Sequence, residues 1–252
     1  LYGDVVNLYN PLGMVDDNLM NRYSDNVKIY ANAYVSVEFM KGLKYKLNLT
    51  PDFQFYRYNS YLGLYDYGLN KNDITQVTEQ QTRTRNVLVE NLLTFDRTFG
   101  DHKISVLAGY TYQDSRYRYM QGSGQGMPTG IKEIDAAAQG LAVSGNSSRS
   151  VLTSILGRAF YSYKNRYLLT ATIRRDGSSK FGSNNRYGNF PSFSVGWNIA
   201  EEDFVKNNVS WLDQLKLRGG YGVLGNQEID NYQYVSVVTT GINYPDGKSG
   251  LI

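Results

Sequence analysis

Apolar and polar residues alternate with a period of two along most of this chain, the signature of strands that present one apolar face. The pattern is clearest over 27–39. Val27, Ile29, Ala31, Ala33, Val35, Val37 and Phe39 fall on one face, and Lys28, Tyr30, Asn32, Tyr34, Ser36 and Glu38 on the other. After a short turn at 40–42 the alternation resumes over 43–55, with Leu43, Tyr45, Leu47, Leu49, Phe53 and Phe55 opposing Lys44, Lys46, Asn48, Thr50, Asp52 and Gln54. The two runs predict a long antiparallel hairpin. Further strands are expected at 84–96, 103–118, 150–163, 167–176, 191–199 and 215–223, with a weaker pattern at 232–240. The 84–96 run is the least regular, because Asn91 interrupts its apolar set and Glu90 lies between Val89 and Leu92.

The connections carry a second signal. Short turns at 97–101 and 164–166 alternate with long polar links at 57–76, 119–149 and 177–190. The 119–149 link contains a stretch, 131–143, with room for a short helix. Soluble sandwiches have no reason to keep strict short–long alternation, whereas outer-membrane barrels have short periplasmic turns and long outer loops. Segment 200–214 departs from the rule: it falls on the short-turn side but has room for a small helix at 201–207. Strands of this length match the roughly 9–11 residues that cross a bilayer when tilted. An amphipathic soluble sheet is the competing reading of periodicity alone. In the membrane reading, Val27, Ile29, Val195, Trp197, Leu215 and Leu217 face lipid, and Lys28, Lys46, Arg174, Lys216 and Arg218 face the interior.

Composition supports strands. The chain has 23 Tyr, 25 Gly and 10 Phe, but one His and no Cys. Rings with one wet and one apolar end suit sheets and membrane interfaces. No apolar run is long enough for a transmembrane helix. The sequence opens at Leu1 without a basic-then-apolar leader, so no signal peptide is expected within it. A net charge of +3 with scattered Lys and Arg gives no reason to expect nucleic acid as a partner. Without Cys, and with His102 alone, neither a metal centre nor a catalytic triad is expected, and no cofactor is implied.

Residues 174–202 read RRDGSSKFGSNNRYGNFPSFSVGWNIAEE. This stretch resembles a segment in the C-terminal part of SusC-like (RagA-like) TonB-dependent outer-membrane transporters. Leu215-Lys216-Leu217-Arg218, Tyr221-Gly222, Gly225-Asn226-Gln227 and Asn231-Tyr232-Gln233-Tyr234 resemble further family segments in the same order. So do the turns around Lys41-Gly42-Leu43-Lys44 and Thr98-Phe99-Gly100, whereas 119–149 is unmatched. The resemblance implies an all-β fold, an antiparallel transmembrane β-barrel portion with eight or nine strands of a larger barrel, for which 22 is the expected number. On this reading residues 1–252 are a partial TonB-dependent receptor-like barrel domain, with plug and signal peptide outside the sequence. The family's role is import of oligomeric nutrients, glycans or peptides, across the bacterial outer membrane, with a SusD-like surface lipoprotein and TonB as partners and no enzymatic activity. A passive porin and a soluble carbohydrate-binding β-protein are the alternatives. A self-closed eight-stranded barrel is geometrically allowed.

Among local features, 176–190 stands out. Arg175 and Asp176 are placed to pair at its start, Gly177 and Gly182 permit positive φ, and Ser178, Ser179, Asn184 and Asn185 can bond the loop to itself. With Arg174, Arg186 and Tyr187 these residues are the candidate substrate or loop positions, read first as a lock pinning the loop to the rim and second as a substrate contact. Gly122-Ser123-Gly124-Gln125-Gly126 is read as a flexible loop, and Glu201-Glu202-Asp203 as solvated acids at a helix start. Tyr56, Tyr58, Tyr61, Tyr65 and Tyr67, with Tyr110, Tyr112, Tyr117, Tyr119, Tyr161, Tyr163 and Tyr167, read as an interfacial girdle. Those within outer loops are positioned to stack on sugar rings.

Overall fold

A computed structural model describes residues 16–67, 70–209 and 211–235. It shows one antiparallel meander. Strands β1 (Met20–Tyr30) and β2 (Ala33–Met40) both pair with β3 (Leu43–Leu62). The sheet then runs through β6 (Gln76–Phe99), β7 (His102–Gln125), β8 (Gln139–Tyr163), β9 (Tyr167–Ser178), β10 (Tyr187–Asn198) and β11 (Lys216–Gly222). A small separate hairpin, β4 (Tyr65–Tyr67) and β5 (Asn70–Asn72), tops the β3–β6 connection.

β1 and β2 form one ribbon, since Tyr30 opposes Asp52 and Ala33 opposes Leu49 in a single register. The interruption at Ala31–Asn32 lies opposite Pro51, which has no N–H to give the ladder. The Ala31 N–H still donates to the Pro51 carbonyl (3.1 Å), and the Asn32 side-chain amide donates to Thr50 Oγ1 (2.7 Å) and Asn48 Oδ1 (2.9 Å). The expected 27–57 hairpin is thus present. At its turn Gly42 has φ +87°, and an added Cβ would lie 2.1 Å from the Asp96 carbonyl oxygen, so only glycine fits. At the 164–166 turn, Lys164 and Asn165 both adopt positive φ (52° and 56°), the geometry that matches strand twist in two-residue hairpins.

Two expected links are mostly strand. β3 continues to Leu62, β7 to Gln125, and β8 begins at Gln139. These extensions lack hydrophobic alternation because both their faces are wet, so a period-two search passes over them. Within 131–143 only Ile134–Ala136 forms a helical turn, and the connection packs onto Tyr61, Val77 and Met127. The 201–207 helix takes the form of a 3-10 turn at Ile199–Glu201 followed by α1 (Asp203–Lys206). The 232–240 expectation falls partly outside the described residues, and 232–235 is turn.

The register fixes which side chains share a face. One row joins Leu43, Phe95, Val106, Ala159, Ala171, Phe193 and Tyr221. The next row toward the short turns on the same face joins Ile104, Tyr161, Leu169 and Val195, and the last joins Phe99, His102, Tyr163, Tyr167, Trp197 and Leu217. This is the lipid face. Asn91, which breaks the sequence pattern there, accepts a hydrogen bond from the Tyr45 hydroxyl (2.7 Å). Glu90, on the opposite face, accepts one from Asn48 (2.8 Å). On β7 the apolar run extends from His102 to Tyr112, ten rises along the strand, about 34 Å at roughly 3.4 Å each. Tilted by about 45°, that is close to the roughly 25 Å apolar band of such barrels.

The outer limit of the band is marked by arginine. The first outward residue beyond the apolar run is Arg57 on β3, Arg85 on β6, Arg149 on β8 and Arg175 on β9, while β7 has Asp114 followed by Arg116. Asp114 accepts from Arg116 (2.9 Å) and Arg149 (3.0 Å), and these bonds hold its carboxyl down at about 2.

At the short-turn end Glu202 is 8% exposed, and solvated acid is the wrong description of it. It accepts hydrogen bonds from the Trp197 indole (3.0 Å), the Tyr167 hydroxyl (2.7 Å) and Arg166 (3.2 Å). The Trp197 and Tyr167 bonds lead in holding its pKa below the ordinary carboxylate value. Arg166 also pairs with Asp203. A carboxylate therefore orients two girdle aromatics from the turn side.

Two outcomes follow from this placement. Val195→Arg puts a charge on the lipid face and should cost about 2–4 kcal/mol of folding into bilayers, whereas Ser194→Arg, on the inner face, should cost far less. Equal effects in bilayer refolding titrations would contradict the facing. Because Asp114 titrates lower in the folded protein than its ordinary 3.8, its contribution is full above that value and is lost as pH falls toward 2. Asp114→Asn should flatten the stability-versus-pH curve in that window only.

Candidate functional site

The inner face of the outer extensions is lined by uncharged hydrogen-bonding groups and tyrosines. Tyr119 stands opposite Thr82 and Asn146, and Thr82 opposite Tyr56. Tyr117 faces Thr84 and Ser148, and Tyr58 faces Gln80. Tyr56, Tyr58, Tyr117 and Tyr119 are therefore inner-wall residues above the band, not girdle. The girdle reading fits the lipid-face placement of Tyr110, Tyr112, Tyr161, Tyr163 and Tyr167.

Next to this wall, a cavity of about 570 Å³ opens where β8, β9 and β10 leave the band. The segment after β11 closes one side of it, bringing Val223, Leu224, Gly225, Asn226 and Gln227 against Arg174, Asp176, Asn185, Arg186 and Tyr187. Phe181 and Phe190 add aromatic surface. Two sequence segments some forty residues apart thus meet. Phe190 lies against Gly225, where an added Cβ would come within 2.2 Å of its ring.

The loop's own bonds explain its order. Arg174 Nε donates to Asp176 Oδ1 (2.6 Å) and its Nη2 to Ser154 Oγ (3.1 Å). Alternation puts Arg174, Asp176 and Ser154 on the inner face, so Arg174 is the partner of Asp176. Arg175, the partner expected first, points outward and stacks over the Tyr187 ring at 5.1 Å. Gly177 makes room for that ring, since a Cβ there would meet Tyr187 at 2.4 Å. Neither Gly177 nor Gly182 has positive φ; Gly177 serves by size, whereas a Cβ at Gly182 would meet only ordinary contact, with Tyr234 at 3.7 Å. Ser179 closes the loop onto β8: its N–H donates to the Val151 carbonyl (2.9 Å) and its Oγ accepts from the Val151 N–H (2.8 Å). Ser178 Oγ accepts from the Lys180 N–H, and the Ser178 N–H donates to the Arg186 carbonyl. Asn184 and Asn185 sit in a 3-10 turn, and of the pair only Asn185 lines the cavity. Spacing alone did not bring Phe181, Phe190 or 223–227 to the site; the family-like Gly225-Asn226-Gln227 was the available signal.

No family model matches the chain. Among curated proteins, the TonB-dependent receptor P3 of Formosa agariphila is 32% identical over 234 residues, covering 89% of this chain and 22% of that receptor. The TonB-dependent receptor SusC of Bacteroides thetaiotaomicron is 46% identical over 99 residues, 39% of this chain and 10% of SusC. The solved structure of the RagAB peptide transporter superposes with a TM-score of 0.83 over 94% of this chain and 26% of that one, at 22% identity, which shows the fold. The chain belongs to the SusC/RagA-like TonB-dependent receptors. It is an outer-membrane β-barrel portion and spans about a fifth of the length of the curated receptors it matches most broadly. The family placement gives the rows their orientation: the short turns at 40–42, 100–101 and 164–166 are periplasmic, and the long extensions face outward from the cell. With that orientation, the cavity and its tyrosine wall lie toward the outer end of the inner face.

Asp176→Ala should free the loop without unfolding the barrel. The Arg174–Asp176 pair is partly exposed, so its loss should cost under about 1 kcal/mol, while amides of 178–186 exchange measurably faster. Unchanged exchange would show that the Ser179 bonds to Val151 suffice.

Proposed function

We propose that this receptor imports an oligomeric nutrient, a glycan or a peptide, across the outer membrane by TonB-dependent active transport. In this reading residues 1–252 are one part of the barrel domain, and a plug and a TonB-contacting segment belong to the whole protein. A SusD-like surface lipoprotein caps the outer mouth. The observation that carries the proposal is the inner wall of Tyr, Thr, Asn and Gln that continues into the roughly 570 Å³ cavity. Rings offer flat apolar faces and the amides offer paired donors and acceptors, which suits hydroxyl-rich or peptide-bond-rich chains. Arg174 and Arg186 give the cavity one cation beyond the charge of Asp176, which favours a carboxylate at one end of the ligand.

The test is uptake by cells carrying the intact receptor. Labelled oligosaccharide and oligopeptide pools are offered with TonB present and with TonB deleted. Uptake of one pool that disappears without TonB supports the proposal; uptake that persists identifies a passive channel. Asn226→Ala or Gln227→Ala should weaken retention of the imported pool by roughly 2- to 10-fold, the worth of one hydrogen bond. Wild-type affinity in both variants would move the binding site elsewhere in the barrel.

A further inference from the structure

Above the apolar band, the lipid-facing side of the sheet is built from arginines set directly opposite one another. Arg85 opposes Arg116, which opposes Arg149, and one row further out Arg83 opposes Arg118. Like charges directly across a ladder are destabilising. Asp114 offsets Arg116 and Arg149. Among the described residues, Arg57, Arg83, Arg85 and Arg118 form no ion pair. All four are exposed; Arg83 stacks over Phe55 and Arg85 over Phe53, both at 5.5 Å, which holds their guanidinium groups against the wall. Here the surface is not flat. A groove of about 400 Å³ runs between Arg57, Arg83 and Arg118, with Val27, Phe55 and Met120 as its apolar part. Asp25 is its single carboxylate.

We propose that this groove is a site for the phosphate-bearing headgroup of an outer-leaflet glycolipid. Three features select that ligand. The position is the headgroup layer, because Phe55 ends the apolar run on β3 and Arg57 follows it. The chemistry is phosphate, which guanidinium groups bind through paired donors. The mixed lining suits an amphiphile, with Val27 and Phe55, at the membrane end of the groove, receiving the start of the acyl region while arginine stems lie along the wall. The site is on the opposite face of the sheet from the transport cavity, so its occupancy and nutrient binding are separable.

The experiment uses the intact receptor in nanodiscs of phosphatidylcholine containing a small fraction of lipid A, its dephosphorylated form, or neither, with bound lipid read by native mass spectrometry. Phosphorylated lipid A should be retained at least tenfold over the dephosphorylated form. The triple variant Arg57→Gln, Arg83→Gln, Arg118→Gln should lose that preference, and the Lys triple variant should keep part of it, which separates charge loss from misfolding. Equal retention of the two forms, or an unchanged preference in the Gln triple variant, overturns the proposal. Full competition by millimolar inorganic phosphate reassigns the groove to free anions and also overturns it. A change in oligomeric state on sedimentation, without any change in lipid retention, makes the surface a protein contact and is equally fatal. Nutrient uptake by the Gln triple variant should stay at the wild-type level, so failure here is distinguishable from failure of the transport reading.

Discussion

Hydrocarbon offers backbone amides no partner, so every N–H and C=O at membrane depth must be paired within the sheet. That requirement organises the molecule. β1 and β2 pair with β3 as one ribbon, and from β3 through β6 to β11 each strand of this sheet pairs with the next strand of the sheet. Where Pro51 removes a donor, the loss falls on the β1/β2 side, and the Asn32 amide bridges Asn48 and Thr50 across the gap. The outermost strands, β1/β2 and β11, do not pair with each other among the described residues. An open edge in lipid costs several kcal/mol for each unpaired group, so further strands must flank both. A self-closed eight-stranded barrel is therefore not what this sequence builds.

Tilt follows from the same closure, and it explains why chemistry changes at different points on successive strands. The apolar run ends at Phe55 on β3, Val87 on β6, Tyr112 on β7 and Ile173 on β9. In ladder register the ends on β3, β6, β7 and β9 lie progressively nearer the short-turn end, as expected where a membrane boundary crosses tilted strands, whereas β8 stays apolar to Val151, opposite Asp114. Arginine follows directly on three of these four strands, with Asp114 and then Arg116 on β7. At the periplasmic end the boundary is made differently. Trp197 and Tyr167 turn their polar atoms to one carboxylate, Glu202, which is itself fixed by Arg166. An acid close to the membrane is tolerable because three donors satisfy it.

Legibility in the sequence tracks the environment of each strand face. Within the band one face is greasy and the other wet, so 27–39, 43–55 and 167–176 could be read directly. Beyond it both faces are wet, and 57–62 and 119–125 look like loop although they are strand. Parity also decided a detail that adjacency obscured: neighbours in a strand point to opposite faces, so Asp176 pairs with Arg174 two residues away and not with Arg175. Gly177 was legible as necessary, but for the wrong reason, since it yields space to Tyr187 and keeps an ordinary φ. Glu202 was hidden because its partners, Trp197 and Tyr167, come from two strands that only folding brings together. The contribution of 223–227 to the cavity was hidden for the same reason.

The site also shows why a structural lock and a ligand contact are poor alternatives here. Arg174 ties Asp176 and Ser154 together and simultaneously lines the cavity. Phe190 packs on Gly225 and forms part of the same lining. A long loop at a wet rim pays roughly 1–2 kcal/mol of backbone entropy for each residue it orders. Ordering it beforehand, through Ser179 on Val151 and Arg174 on Asp176, moves that cost from the binding step to folding. A cavity whose walls are held this way meets its ligand with less left to immobilise, which is how preorganisation raises affinity without adding contacts. The residues that pin the loop are thus part of the recognition surface because they pin it.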